Sequence, residues 1–390
     1  MYRRVELLGL TVTTIALILL FATVNQRPTR EYPRHYPVLQ DLILTNSSFA
    51  TVPIKTVVRQ NKFVIEQQLK DYPFPKNKTL TDFTLSVGGK PVRNIIITTW
   101  RSGSTFLGEV LNAIPGNYYH YEPLLHYGIM QIRGPPFADS AVTVLESLLK
   151  CEYDDLQAYL KYGQDHVYLF THNTRLWTQC EYYPNYCWDP DFLMQFCKLF
   201  PFQSMKVVRL RLRLAERLLL NKDLNVRVLL LVRDPRGILQ SRKHREWCPG
   251  IPDCDQPNIL CADMVSDYSA AIKLKHKFPH RFSVIRYEDL SLNPYNEVKK
   301  LLQFFNLYFH PNVMNFLDSH TRINYGGLSS TFRNSKNTPF HWRMDLNFSE
   351  VQYIEEQCTQ AMHLWGYVKA YNETNLKEFN PLTEFTLDNE

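Results

Sequence analysis

Beyond residue 90 the sequence alternates short apolar runs with longer segments in which apolar residues recur every three to four positions. The run at 226–232 is the strongest, and residues 94–99, 205–210 and 282–286 share its aliphatic or β-branched character. These runs predict buried strands, and residues 167–170 predict a further short one. Helical periodicity and capping residues predict helices at 104–112, 142–150, 189–199, 213–220, 234–245, 259–277, 294–305 and 351–364.

Apolar strands that alternate with helices predict an α/β fold. Its centre is expected to be a P-loop-like parallel sheet with helices on both faces. Ser349 is predicted to be the N-cap of the last helix. Because ligands of such folds bind at the carboxyl ends of the strands, the loops that follow the strands are expected to carry the chemistry.

The N-terminus carries a different pattern. Residues 7–24 are a run of apolar or weakly polar residues that follows Arg3 and Arg4. As a helix this run rises about 27 Å, near the ~30 Å thickness of the hydrocarbon core of a membrane. A cleaved signal peptide is the alternative, but residues 21–24 make a poor cleavage site. The sequence therefore predicts one N-terminal transmembrane signal-anchor helix that precedes the α/β fold.

Features that follow this span indicate on which side of the membrane the rest of the chain lies. N-glycosylation sequons begin at Asn46, Asn77, Asn347 and Asn372, and all eight cysteines also follow the span. An even number of cysteines in an oxidising compartment predicts disulfide bonds, with local pairing within 248–261. The spacings lack the C-x2-C pattern of zinc sites, so no metal is expected. We therefore predict a cytoplasmic tail at 1–6, the anchor at 7–24 and a proline-interrupted lumenal stem at 25–90.

Composition narrows the classes of function. The 390 residues are 45% hydrophobic and 13% aromatic, which is typical of a globular core and not of a disordered chain. The net charge of +6 is compatible with anionic ligands in a cleft. That surplus is too small to indicate nucleic acid as a partner, and a generic basic surface explains it equally well.

One candidate loop lies between the predicted strand at 94–99 and the following helix, where the sequence reads Arg101-Ser-Gly-Ser-Thr-Phe-Leu107. Free amides and the positive end of the helix dipole make such a turn an anion site. The loop has one glycine and no lysine, so it differs from the G-x-x-x-x-G-K-[ST] loop of nucleotide triphosphatases.

A second candidate loop follows the strand at 226–232 and reads Arg233-Asp-Pro-Arg-Gly-Ile-Leu-Gln-Ser241. An arginine at a strand end can bind a phosphate through two hydrogen bonds, and Ser241 can add a hydroxyl. Arg233 could instead pair with Asp234 or Glu216. Taken together, the two loops predict a ligand with phosphates at two ends.

These motifs resemble those of the Golgi galactose, N-acetylgalactosamine and N-acetylglucosamine 6-O-sulfotransferases. The loops at 101–107 and 233–241 are similar to that family's 5′-phosphosulfate and 3′-phosphate loops. Further similarities lie at residues 121–123, 206–211, 286–290, 342–343, 354–358 and 366–367. The resemblance covers roughly residues 90–370, which predicts a sulfotransferase domain at 91–372 and a C-terminal tail at 373–390.

The resemblance implies a single-pass type II enzyme of the Golgi membrane with a lumenal catalytic domain. It would transfer a sulfo group from 3′-phosphoadenosine 5′-phosphosulfate to the 6-hydroxyl of a GlcNAc, Gal or GalNAc residue in glycoprotein or proteoglycan glycans. A homodimer is left open. The residues expected to bind the donor are Arg101, Ser102, Gly103, Ser104, Thr105, Phe106 and Leu107 in the first loop, and Arg233, Asp234, Pro235, Arg236, Gly237, Ile238, Leu239, Gln240 and Ser241 in the second.

Two residues are expected to be catalytic. Arg101 would stabilise charge on the leaving group, because a guanidinium cannot plausibly give up a proton. Glu122 is the predicted general base for the acceptor hydroxyl, with His120, His126 and Lys206 as weaker candidates. Five aromatic residues could stack on sugar rings: Tyr118, Tyr119, Tyr121, Trp177 and Trp188.

Three other residues, Arg286, Glu288 and Asp289, are expected to support the site as an ion network. The basic loop at 322–343 could close over the donor. Two alternative functions remain at this stage: a catalytically inactive homologue that binds glycan or donor, and a P-loop nucleotide kinase. The missing lysine and the lumenal context disfavour the kinase.

Overall fold

The structure is a computed structural model and describes residues 52–326 and 330–387. The predicted cytoplasmic tail, signal anchor, first part of the stem and Asn46 lie outside these described residues. Inside them, no helix has the length and apolar character needed to cross a membrane. The sequons at Asn77, Asn347 and Asn372 are exposed.

The core of the described chain is a five-stranded sheet whose neighbouring strands are all parallel. The strands are β1 (Val92–Ile97), β2 (Asn117–Tyr121), β3 (Phe202–Val207), β4 (Arg227–Val232) and β5 (Phe282–Arg286), in the order β2-β3-β1-β4-β5. All six residues of β3 are buried. Because successive side chains point to opposite faces, both faces of the sheet are covered at this strand. The predicted parallel α/β fold is confirmed.

One helix precedes β1, and the other helices lie between and after the strands along the chain. They are α1 (Ile54–Gln68), α2 (Ser104–Asn112), α3 (Ala138–Lys150), α4 (Gln157–Asp165), α5 (Tyr168–Thr171), α6 (Thr174–Tyr182), α7 (Pro190–Cys197), α8 (Glu216–Leu220), α9 (Pro235–Lys243), α10 (Pro252–Asp255), α11 (Pro257–Lys277), α12 (Tyr287–Leu292), α13 (Pro294–Phe304), α14 (Pro311–His320), α15 (Trp342–Asp345) and α16 (Phe348–Leu364). Single 3₁₀ turns occur at Leu80–Phe83, Leu85–Val87, Leu125–Tyr127, Pro184–Tyr186, Leu212–Ala215 and Thr338–Phe340.

Three local predictions differ from the structure. Residues 167–170 were expected to form a strand, but Tyr168–Thr171 is a helical turn. A run of four apolar residues fits either state, and its neighbours here are helices. The N-cap of α16 is Asn347 and not Ser349, because the Asn347 side chain accepts the backbone N–H of Glu350 and that glutamate bonds back to the Asn347 N–H.

The third difference concerns the predicted stem. Helix α1 was not expected, yet its Val57 and Ile65 are buried and its Asn61 donates to Gln179 Oε1 at 2.9 Å. Tyr72 then packs on Phe202 of β3, with ring centroids 5.0 Å apart. The later part of the predicted stem thus belongs to the compact unit that begins at Pro53.

All eight cysteines form disulfide bonds, as predicted: Cys151–Cys197, Cys180–Cys187, Cys248–Cys254 and Cys261–Cys358. The local pair at 248–254 confirms the expected pairing in that region. Cys261 instead joins α11 to α16, two helices that pack along each other. No pattern in the sequence places 261 beside 358, because only the packing of these helices brings them together.

Candidate active site

The first loop, residues 101–107, runs from the end of β1 into α2 as predicted. Gly103 is the residue before α2 and has a φ of 83°, which favours glycine. A Cβ at this position would lie 2.3 Å from the ring of Tyr287. Glycine therefore lets the loop lie directly against that ring. The first amides of α2 have no acceptor within the helix, and the helix dipole makes this end positive.

The second loop, residues 233–241, connects β4 to α9. Asp234 is the N-cap, and its side chain accepts the backbone N–H of Arg236 at 2.9 Å. The Arg233 guanidinium lies over the ring of Tyr287, 4.6 Å from its centroid. A Cβ at Gly237 would approach Arg233 Nε to 3.1 Å, so glycine at 237 leaves room for the guanidinium beside the helix.

The two loops contact each other directly. Arg233 Nη1 donates to the backbone oxygen of Arg101 at 2.7 Å, and Arg101 Nε donates to Ser241 Oγ at 3.0 Å. The contacts are made because β1 and β4 are neighbours in the sheet and their carboxyl ends share one edge. The sequence-based prediction of a single site built from both loops is consistent with this arrangement.

A cavity of about 1080 Å³ opens beside both loops. Most of the residues that the sequence analysis placed in the donor site or in catalysis line it, namely Arg101, Gly103, Ser104, Thr105, Phe106, Glu122, Arg233, Gln240 and Ser241. A cavity of this size at the carboxyl ends of parallel strands is the usual position of a ligand site.

Eight of the expected donor-binding residues do not line this cavity. Ser102, Leu107, Asp234, Pro235, Arg236, Gly237, Ile238 and Leu239 are buried within the loops and helices. Arg236 pairs with Asp234 at 2.7 Å and with Glu355 at 2.6 Å, which ties α9 to α16. These residues are buried on the side of the loops away from the cavity and stabilise the positions of the loops.

The cavity has a surplus of positive charge. Arg101, Lys206, Arg233, Arg245 and Arg333 all line it. Burial, together with the positive charges of Arg245 and Arg233, lowers the pKa of Arg101 to about 10. A cluster of arginines that repel one another in this way is typical of a binding site for an anion.

Glu122 lies just beyond β2, as predicted, and is held by two cations. Lys206 Nζ donates to its Oε1 at 2.7 Å, and Arg209 Nη1 donates to its Oε2 at 2.8 Å. Burial alone would raise the pKa of Glu122, but the charges of Lys206 and Arg209 outweigh burial and lower it to about 2. Burial would likewise lower the pKa of Lys206, but Glu122 raises it, so Lys206 stays an ammonium. Lys206 Nζ also lies 3.4 Å from Thr105 Oγ1 in the first loop.

Most of the weaker candidates for catalysis or sugar stacking lie outside the cavity. His120, Tyr118 and Tyr119 are buried in the core and do not line the cavity. Of the five aromatic residues named above, only Tyr121 lines it. Arg343, in the basic loop, donates to the backbone oxygens of Phe340 and Phe379 and is absent from the lining.

The expected ion network exists in part. Arg286 pairs with Asp289 at 2.8 Å and also donates to backbone oxygens of the C-terminal segment. Glu288 instead accepts the Asp234 N–H at 3.0 Å and the Tyr367 hydroxyl at 2.9 Å. Among the residues that the structure describes, no three His, Cys, Asp or Glu side chains are grouped as metal ligands.

Several residues that line the cavity were not identified from the sequence. Arg245 lies two residues beyond the end of α9, close in the sequence to Ser241. Trp247 follows the second loop closely, whereas Tyr287, His172, Tyr162 and Tyr168 come from distant segments. No local pattern distinguishes these aromatic residues from core residues.

A sequence profile described as the sulfotransferase domain matches residues 91–366. The chain belongs to the sulfotransferase family. The resemblance stated from the two loops is thereby confirmed. The cavity at the carboxyl ends of β1 and β4 is the candidate active site of this sulfotransferase.

The sulfotransferase is also similar to curated proteins, of which two are described here. It is 26% identical over 325 residues to carbohydrate sulfotransferase 4 of Mus musculus, covering 73% of this chain and 84% of that protein. It is 25% identical over 338 residues to carbohydrate sulfotransferase 6 of Homo sapiens, covering 73% of this chain and 83% of that protein. Among solved structures, the sulfotransferase domain from the Synechococcus PCC 7002 olefin synthase has 15% identity and a TM-score of 0.38, with 75% of this chain and 98% of that chain covered.

Proposed function

We propose that this sulfotransferase transfers a sulfo group from 3′-phosphoadenosine 5′-phosphosulfate to the 6-hydroxyl of a GlcNAc, Gal or GalNAc residue in glycoprotein or proteoglycan glycans. The observation that carries the proposal is the direct bonding of the two loops, through Arg101 and Ser241 and through Arg233 and Arg101, beside one positively charged cavity. The names of the curated relatives support a carbohydrate acceptor. The 6-hydroxyl position rests on the resemblance of the motifs.

The residues present fit such a donor. Arg233 lines the cavity, and its buried Nε has no hydrogen-bond partner within the described residues. A buried donor without an acceptor costs free energy, and an anion supplies acceptors. We assign the 5′-phosphosulfate to residues 101–107 and the 3′-phosphate to Arg233 and Ser241. The donor is a substrate of the reaction and supplies the sulfo group.

The protein's contribution to sulfuryl transfer is mainly positioning and electrostatics, as in phosphoryl transfer. Arg101 is a fixed cation in the first loop and stabilises negative charge without giving up a proton. Lys206 is held as an ammonium beside Thr105 and adds a second charge at the same loop. Both cations are positioned before any ligand binds, so little reorganisation is needed.

Glu122 has a role in this site that differs from the simplest expectation. Both of its carboxylate oxygens are in ion pairs, with Lys206 and with Arg209. A carboxylate held in this way binds a proton weakly and is a poor general base. We therefore propose that Glu122 positions Lys206 and Arg209.

We further propose that the enzyme is a single-pass type II protein of the Golgi membrane with its catalytic domain in the lumen. The four disulfide bonds support an oxidising compartment. The exposed sequons at Asn77, Asn347 and Asn372 are compatible with glycosylation there. Microscopy of the full chain with a Golgi marker, and glycosidase shift of its mass, test this placement.

Activity is tested with the full chain in detergent micelles, a radiolabelled sulfo donor and glycan acceptors that end in GlcNAc, Gal or GalNAc. The matched control for each acceptor is its 6-deoxy analogue. Labelled product from one acceptor and none from its 6-deoxy analogue supports the proposal. Donor binding with no product from any acceptor favours an inactive homologue. A folded chain that does not bind the donor refutes the proposal, and phosphoryl transfer from ATP would favour the kinase.

A further inference from the structure

His172 lies in the turn between α5 and α6 and is bound to α2 by two contacts. Its Nδ1 lies 2.8 Å from Glu109 Oε1, and its backbone oxygen accepts Asn112 Nδ2 at 2.9 Å. Its ring stacks on Tyr121, with centroids 3.8 Å apart and planes 11° from parallel. These contacts fix both the position and the tilt of the imidazole.

The same imidazole lines the cavity of the active site. Glu109 is four residues after Thr105 on α2, so the two side chains lie one helical turn apart on one face. Tyr121, on which His172 stacks, also contacts Lys206, whose Nζ is 3.8 Å from the ring centroid. His172 is therefore adjacent to the groups that we assign to the phosphosulfate.

The pairing with Glu109 occupies Nδ1 and so determines which nitrogen is left for a ligand. When a carboxylate accepts the Nδ1–H of a neutral histidine, the lone pair is on Nε2, and we assign this tautomer from the hydrogen bond. The hydrogen bonds of His172 run through Nδ1 and its backbone oxygen, which leaves Nε2 for a ligand. A carboxylate that orients a histidine in this way is the arrangement found in many general bases.

We propose that His172 is the general base of this enzyme and that Glu109 is its positioning residue, an inference that rests on the proposed sulfotransferase function. The acceptor hydroxyl oxygen forms a bond to sulfur while the bond from sulfur to the bridging oxygen of the donor breaks. The electron pair of that bond leaves on the phosphate oxygen of 3′-phosphoadenosine 5′-phosphate. The hydroxyl proton moves to Nε2 of His172, and the imidazolium beside Glu109 then loses it to solvent.

Two other groups in the cavity, Glu122 and His341, fit this role less well. Both oxygens of Glu122 are occupied by Lys206 and Arg209. His341 also pairs with a carboxylate, Asp345, at 3.0 Å, but Asp345 bonds Gln240 of the second loop. His341 is thus part of the wall that we assign to the 3′-phosphate side.

The test compares the wild-type full chain with His172→Ala, His172→Asn and Glu109→Gln. For each, kcat is measured with the best acceptor, the Kd for 3′-phosphoadenosine 5′-phosphate by calorimetry, and the melting temperature by fluorescence. We expect kcat to fall by about 100-fold or more in both His172 variants and at least ~10-fold in Glu109→Gln, with the Kd changed by less than about threefold.

Added imidazole provides a readout that a structural role would not change. It should restore part of the kcat of His172→Ala and should not raise the kcat of His341→Ala, the matched histidine–carboxylate control. A His172→Ala enzyme that keeps kcat within about threefold of wild type refutes the inference, as does a loss of kcat that parallels a loss of donor-product binding in both His172 variants. If His172→Ala does not fold, Glu109→Gln and His172→Asn decide by the same criteria. A wild-type chain that binds donor and yields no sulfated product refutes the proposed function instead.

Discussion

Arg101 and Ser241 are separated by 140 positions in the sequence, yet Arg101 Nε donates a hydrogen bond to Ser241 Oγ at 3.0 Å. The bond joins the loop after β1 to the helix after β4. Arg233 strengthens the same junction by donating to the backbone oxygen of Arg101 at 2.7 Å. A change at either loop is therefore expected to affect the other.

Replacing Arg101 with Ala should weaken binding of 3′-phosphoadenosine 5′-phosphate by about 100-fold, because it removes a charged contact and the hydrogen bond to Ser241 together. Ser241→Ala removes one hydroxyl and should cost about tenfold. Calorimetry with the purified full chain measures both. Lys243→Ala is the matched control, since Lys243 is a cation on the same helix whose side chain is 56% exposed and pairs with Glu350. Equal affinities in Arg101→Ala and Lys243→Ala would contradict our placement of the donor.

Replacing Glu122 with Gln should lower kcat by about 100-fold and leave the Kd for the donor product nearly unchanged. The reason is that an amide cannot neutralise Lys206 and Arg209, so the two cations lose their common partner. Steady-state kinetics with a fixed acceptor checks the prediction. Glu152→Gln, at an exposed carboxylate outside the cavity, is the control. A wild-type kcat in Glu122→Gln would show that Glu122 has no role in turnover.

Replacing Gly103 with Ala should abolish donor binding and destabilise the fold by more than about 1 kcal/mol. The new Cβ would meet the ring of Tyr287 at 2.3 Å and would hold an unfavourable positive φ. Gly88→Ala separates the two effects, because Gly88 has a φ of +84° and no atom within 4 Å of the added Cβ. Urea unfolding and calorimetry on both variants give the comparison. If Gly103→Ala binds the donor as Gly88→Ala does, the loop does not need its contact with Tyr287.

Glu288 is expected to make the free energy of unfolding depend on pH. Burial, helped by the nearby charge of Asp234, raises the pKa of Glu288 from 4.5 to about 7. A carboxyl whose pKa is raised by folding favours the folded state when protonated. Its contribution is therefore fully present below the ordinary value and is lost as the pH rises through the raised pKa, by an amount on the order of 3 kcal/mol.

Replacing Glu288 with Gln should consequently reduce the loss of unfolding free energy between about pH 5 and pH 8. Urea unfolding at several pH values in that range measures the slope for wild type and variant. Glu356→Gln, an exposed position on α16, serves as the control and should keep the wild-type slope. Identical slopes in Glu288→Gln and wild type would show that Glu288 does not titrate in this range.

Much of the fold could be predicted because its signals are local. The apolar runs that form β4 and β5 and the capped start of α9 at Asp234 can each be identified from a few neighbouring residues. The turn at Tyr168–Thr171 was not predicted, because four residues are too few for periodicity to separate a strand from a helix. Helix α1 was missed since prolines on both sides suggested a stem.

In the candidate site, too, local motifs could be predicted and contacts between distant segments could not. The loops at 101–107 and 233–241 are recognisable as motifs, and they supply the anion-binding groups. The pairing of Glu122 with Lys206 and Arg209 could not be predicted, because it requires β2 and β3 to be adjacent in the sheet. That pairing is the reason we propose Glu122 as a positioning residue instead of the predicted general base.

The sequence by itself determined the parallel α/β fold, the two loops, the disulfide-rich character and, through its motifs, the sulfotransferase family. Short segments carry that information, since strand character, caps and glycine turns depend on adjacent residues. Only the tertiary structure decided which side chains share the cavity. It brings His172 into contact with Glu109 and Tyr121. Charge pairing and the direction of a lone pair depend on distances between segments far apart in the chain, and those distances exist only after the sheet and helices have packed.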